Sequence, residues 1–161
     1  MKKQKYILIV VLALLGSLVQ SCSSDDDSGA PTSDTYIRFT IDGTNYDFGN
    51  IITAESLSIT FNGNNGETIQ DVGDTRISIY LPLDIVVGNH DIEGGAFGGD
   101  YKVSFTSEPM EFDFDFAHEG NINVTSVTED YVEGTFTATI MSENDETITL
   151  VDGEFKALPI D

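Results

Sequence analysis

Tyr36-Ile-Arg-Phe-Thr-Ile-Asp-Gly-Thr-Asn-Tyr-Asp-Phe48 is the stretch whose reading decides the fold. Ile37, Phe39 and Ile41 alternate with Tyr36, Arg38 and Thr40, the period of a strand that turns one face to a core and the other to water. Asp42-Gly43 then interrupts the run. Asp and Gly both accept the positive φ angles of a two-residue turn, so residues 44–48 are expected to return as the antiparallel partner.

The same period continues in both directions from this hairpin. Leu57, Ile59 and Phe61 alternate with Ser58 and Thr60 until Asn62-Gly-Asn-Asn-Gly66 breaks the run. Ile77, Ile79 and Leu81 alternate with Arg76, Ser78 and Tyr80 and stop at Pro82. Gly88-Asn89 reads as a further turn, and Val103 and Phe105 resume the pattern. Phe112, Phe114 and Phe116 are expected on one face of a strand, with Glu111, Asp113 and Asp115 on the other. Ile122 and Val124 precede a turn near Glu129-Asp130. Phe136, Ala138 and Ile140 follow, and Ile148, Leu150 and Phe155 complete the set. No window carries a 3.6-residue apolar stripe. The expected fold is all-β: a single antiparallel β-sandwich or an open, barrel-like domain.

The chain has 161 residues. Residues 1–21 read as a lipoprotein signal peptide, residues 22–34 as an acylated cysteine with a flexible acidic tether, and residues 35–161 as the β domain. The leader opens on Lys2, Lys3 and Lys5, and an apolar run covers residues 6–19. That run is shorter than the roughly 20 residues a membrane-spanning helix needs and suits a secretory leader. Val19-Gln-Ser-Cys22 resembles the bacterial lipobox, with Val in place of Leu and Gln in the middle. The resemblance implies a diacylglyceryl group on the Cys22 thiol and cleavage just before it. Cys22 is the sole cysteine, so it has no intramolecular disulfide partner. Ser23-Ser-Asp-Asp-Asp-Ser-Gly29 resembles the acidic export tag of Bacteroidota surface lipoproteins, which implies an outer-membrane, cell-surface location. Residues 23–34 are polar and aperiodic, and a flexible tether of that length reaches roughly 20 Å.

All 28 acidic residues follow Cys22, against four basic ones, Arg38, Arg76, Lys102 and Lys156, a balance of −24 for the exported part. Nucleic acid is therefore not expected as a partner, because affinity for phosphate comes from Lys and Arg. The expected partners are the membrane, through the lipid, and an envelope protein or a glycan.

The order of segments resembles a family of small Bacteroidota (flavobacterial-type) cell-surface lipoproteins with a β domain of uncharacterised function. The similarity is carried by Ile37-Arg-Phe-Thr-Ile-Asp-Gly43, Ile77-Ser-Ile-Tyr-Leu-Pro82, Gly88, Gly120-Asn-Ile-Asn-Val124, Tyr131-Val-Glu-Gly-Thr-Phe-Thr-Ala138, Ile148-Thr-Leu-Val-Asp-Gly-Glu-Phe155 and Leu158-Pro-Ile160. These motifs are turn glycines and core aromatics. They imply a β fold and assign no catalytic residue.

Chemistry-bearing residues are sparse. His90 and His118 are the only histidines, and both read as turn residues. No Gly-x-Ser-x-Gly elbow and no His-Glu-x-x-His pattern is present, so neither a Ser-based triad nor a zinc site is expected. The Gly-rich run at 94–99 precedes a strand rather than a helix and reads as a mobile loop, not a phosphate cradle. Glu111, Asp113 and Asp115, spaced about 7 Å apart along one strand face, read as a solvated face before a calcium site, because Ca²⁺ collects six to eight oxygens from curled loops. Residues 62–67, 71–74 and 91–100 are weaker oxygen-rich candidates. No cofactor and no enzymatic activity are expected. The reading is a non-catalytic structural or binding module, with capture of a surface glycan or a cation as the alternative. An exposed row using Tyr36, Tyr80 or Tyr101 would favour the glycan.

Overall fold

A computed structural model describes residues 34–49, 51–68 and 71–159. Residues 1–33, on which the signal-peptide reading, Cys22 and most of the tether reading fall, lie outside the described residues. Ten strands run β1 Tyr36–Ile41, β2 Thr44–Gly49, β3 Ile52–Glu55, β4 Ile59–Asn64, β5 Thr75–Leu81, β6 Gly88–Glu93, β7 Lys102–Ser107, β8 Phe112–Val127, β9 Val132–Met141 and β10 Thr147–Ala157. They form a curled antiparallel sheet, a half-barrel, in the order β2-β1-β10-β9-β8-β7-β5-β4-β3, with β6 paired to β8 off this path.

The opening hairpin forms as its sequence dictates. Asp42 and Gly43 have φ of 48° and 79°, and Ile41 pairs with Thr44 across them. Two successive positive φ angles match the right-handed twist of the flanking strands.

The curl makes one face of the sheet its own core. Phe39 of β1 meets Phe105 of β7 edge-on, ring centroids 6.1 Å apart. Phe61 of β4 meets Phe155 of β10 at 6.0 Å. Both pairs join strands that are distant in the sheet order, so they hold the curl rather than any single ladder. Phe48 of β2 packs against Gly63 of β4 and brings the two sheet edges towards each other. Lys156 is bonded to Asp34 at 3.0 Å and to Glu133 at 3.4 Å, and it covers the Tyr131 ring at 4.0 Å.

β8 is where the sequence pattern and the fold part. Its first residues pair with β7 and its later ones with β6 on one side and β9 on the other. Phe112 is buried, but Phe114 is 55% exposed and has φ of 59°. The register slips there: Ser107 pairs with Phe112 while Phe105 pairs with Asp115, so one residue more lies on β8 than on β7. This bulge reverses the parity of the strand. Phe112, Phe114 and Phe116 therefore do not share a face. Glu111 lies before the strand in a left-handed conformation, at the end of the 3₁₀ turn Glu108–Met110. The expected acidic face does not form.

Two smaller expectations are corrected as well. Leu57 is not part of a strand's inner set; it sits in a turn and is 95% exposed. Gly88-Asn89 opens β6 rather than making a turn, so His90 is a strand residue, as is His118 on β8. The Gly-rich run contains a short 3₁₀ turn, Gly95–Phe97.

Candidate functional site

The outer face of β4, β5, β7 and the start of β8 carries an ordered set of side chains because their strands are in direct register. Ile52, Asn62, Ser78, Ser104 and Phe116 form one row across five strands. On one side of it runs the row Ala54, Thr60, Tyr80, Lys102. On the other runs Asn64, Arg76, Thr106. The bulge in β8 then delivers Phe114 and Phe116 to this face instead of the core.

The aromatic rings close over a polar floor. Tyr80 and Phe116 lie 5.5 Å apart with a 36° tilt, and Phe114 meets Phe116 edge-on at 5.1 Å. Beneath them Ser104 and Thr106 are buried, at 2% and 7% exposure. The Tyr80 hydroxyl is 3.3 Å from Ser104 Oγ, and the Phe114 N–H donates to Thr106 Oγ1 at 3.1 Å. Burying a hydroxyl is costly unless it is bonded, and these bonds meet that cost while fixing the ring positions. Ser78 donates to Asn62 Oδ1 at 2.8 Å, and Asn62 Nδ2 donates to Ile52 O at 3.2 Å.

Two hollows flank the rings. One, of about 420 Å³, lies between Leu57, Tyr80, Leu83 and Lys102, with Asp84 and Asp100 on its rim. The other, of about 230 Å³, is bounded by Asn62, Arg76, Ser78, Thr106 and Phe114, with Val72 as a wall. The rings and the hollows beside them (the trough) present aromatic, hydroxyl, amide and charged groups, a composition that suits a polar ligand with apolar faces.

Charge is distributed unevenly around the domain. Arg38 is paired with Asp47 at 3.0 Å and lies over the Tyr36 ring at 4.2 Å. Its pKa is held above the ordinary value, first by the hydrogen bond to Asp47. Lys156 is likewise raised, first by its hydrogen bond to Asp34. The other two cations, Arg76 and Lys102, both belong to the trough. Lys102 donates to Ala96 O at 2.9 Å. Among the described residues Arg76 has no ion-pair partner.

The structure separates the three tyrosines named from the sequence. Tyr80 is in the trough. Tyr36 is on β1, five strands from β5 in the sheet order, beneath Arg38. Tyr101 stacks face to face on His90 with ring centroids 3.7 Å apart. The Val86 N–H donates to the Tyr101 hydroxyl at 3.3 Å, and His90 Nε2 is 2.7 Å from Val86 O. His90 and Tyr101 thus tie the 82–87 connection to the strands beside it. His118 is exposed on β8. Among the described residues no three His, Asp, Glu or Cys side chains converge as metal ligands would.

Phe114, Phe116 and Arg76 were not visible as site residues in the sequence. Phe114 and Phe116 read as core because they alternate with acids. The one local signal against that is the buried Ala117, whose parity is opposite to that of Phe112.

The oxygen-rich loop before β5 is held together by its own bonds, and it sets the position of Val72. Asn65 Nδ2 donates to Asp74 Oδ1 at 2.7 Å, Thr75 Oγ1 donates to the same oxygen at 3.0 Å, and the Gly73 N–H donates to Asp71 Oδ1 at 3.0 Å. The Asn65 bond, then the Thr75 bond, hold the Asp74 carboxyl below its ordinary value. A carboxyl depressed on folding contributes stability that is present above its unfolded pKa and lost as pH falls through its folded pKa. Asp74→Asn is therefore expected to lower the thermal midpoint at neutral pH. The gap between variant and wild type should close as pH falls below the ordinary value of 3.8, as read by far-UV circular dichroism melts. A gap that stays constant down to acid pH would show that the ionised carboxylate is not what holds the loop.

No family model, curated protein or solved structure matches this chain.

Proposed function

We propose that this protein is a lipid-anchored lipoprotein of the outer membrane, of the Bacteroidota surface type, and that its β domain is a non-catalytic module that binds a glycan in the outer trough. The observation that carries the reading is the set of rings Tyr80, Phe116 and Phe114 on the solvent side of the sheet, above bonded Ser104 and Thr106. A pyranose presents C–H groups on its faces and hydroxyls at its edge. Its faces suit the rings, and its hydroxyls suit the amide and hydroxyl groups of Asn62 and Ser78 between the two hollows. A cluster of rings on the solvent side of a sheet is the kind of surface that marks an interaction site.

Affinity electrophoresis of the purified full chain through gels containing soluble polysaccharides tests the proposal. Wild type is expected to be retarded by at least one glycan. Tyr80→Ala should weaken that retardation roughly tenfold, since an aromatic contact is worth on the order of 1–1.5 kcal/mol. Tyr36→Ala, outside the trough, should leave it unchanged. Equal loss in both variants, or no retardation in any glycan, would overturn the reading.

A further inference from the structure

Arg76 stands apart from the other cations of the domain. It lies on β5 between Asn64 and Thr106, in the 230 Å³ hollow beside Phe114. Among the described residues its lining contains no carboxylate. Arg38 and Lys156 each have carboxylate partners, and Lys102 spends a proton on Ala96 O. In a chain whose exported part has 28 acidic residues against four basic ones, chance alone would readily supply an acid beside an arginine. Among the described residues, Arg76 has none within ion-pair distance.

A guanidinium presents parallel N–H groups in a planar fork that matches the two oxygens of a carboxylate. We infer that the hollow takes the carboxylate of a uronic-acid residue, which Arg76 binds as a bidentate pair. Phe114 receives the sugar face, and Asn62 and Ser78 receive its hydroxyls. This inference rests on the glycan reading and narrows it to acidic glycans. The net negative charge of the domain does not oppose it at contact range. At physiological ionic strength charges are screened over about 8 Å, so the distant acids of the domain count for little beside Arg76, the one charged residue in the described lining of the hollow. A sulfate ester offers the same sign of charge, but its tetrahedral oxygens match the planar fork less well, and the hollow supplies a single cation.

Affinity electrophoresis of the full chain in EDTA, with three polyuronates of different stereochemistry, separates these possibilities. The probes are polygalacturonate, alginate and a glucuronan, each beside its carboxyl-reduced neutral counterpart, and dextran sulfate. At least one polyuronate should bind roughly tenfold more tightly than its reduced form, the range of a charged hydrogen-bonded pair. Arg76→Gln should erase that difference and leave the weaker binding to the reduced polymer. Arg38→Gln, a paired surface arginine, should change nothing. If native and reduced polymers bind equally and Tyr80→Ala weakens both, the glycan reading stands and the carboxylate assignment falls. If no polymer binds, both fall. Dextran sulfate binding as tightly as the best polyuronate, with the same loss in Arg76→Gln, would replace carboxylate recognition by general anion attraction and overturn the assignment.

Discussion

Phe155→Ala is expected to lower the free energy of unfolding by about 3–5 kcal/mol, the range for removing a fully buried aromatic side chain. The size follows from position. Phe155 is 1% exposed and meets Phe61 on β4, so it ties β10 to the far arm of the curl. Its ring also fills the space over Gly134, where an added methyl group would lie 2.6 Å from a ring carbon. The strands on both sides are fixed by their ladders, so the void can collapse only in part. Domains of this size have about 5–15 kcal/mol in total, so the variant would stand near the threshold of folding. Urea melts followed by far-UV circular dichroism should show a lower midpoint with an unchanged slope. A loss below about 1.5 kcal/mol would mean that the two arms of the curl do not depend on this contact. Gly134→Ala gives an independent check. It should be strongly destabilising alone and cost less in the Phe155→Ala background, because the ring it strikes is gone while the Asn123 carbonyl, 2.5 Å from the same methyl position, remains.

Cys22→Ala is expected to move the protein from the membrane fraction to the soluble one. Each buried methylene of an acyl chain contributes about 0.8 kcal/mol, so two or three chains hold a protein durably while none leaves an acidic domain with no affinity for an anionic surface. The apolar run at 6–19 does not replace the anchor, being shorter than a membrane span. Mass spectrometry of the amino-terminal peptide supplies a second readout: wild type should carry the mass of acyl chains on Cys22, and the variant should not. Retention of Cys22→Ala in the membrane together with an unmodified wild-type peptide would remove the proposed anchor. With the anchor intact, protease added to whole cells should cleave the domain; full protection would place it on the inner side of the membrane.

Much of the fold was legible because a strand's alternation is local. Ile37, Phe39 and Ile41, and likewise Ile77, Ile79 and Leu81, are buried as their spacing dictates. Asp42-Gly43 makes its turn because both residues tolerate positive φ. The site was less legible. Tyr80 could be placed on an outer face, but its partners come from a strand whose parity the sequence does not reveal. Arg76 is unremarkable in the sequence and acquires meaning only from its place beside Phe114 with no ion-pair partner among the described residues.

Neighbours along the chain are enough to set the period-two pattern, the Asp42-Gly43 turn and the charge split at Cys22. Tertiary structure alone decided which way the strands face after a bulge. At Phe114 and at Asp152, with φ of 59° and 52°, an extra residue is set against a shorter partner and the side chains that follow change face, in β8 as far as the next register shift after Ala117. In β10 the change turns Phe155 into the core. In β8 it turns Phe114 and Phe116 out, onto the trough. An alternating run is compatible with either outcome, because only the partner strand fixes where the ladder slips.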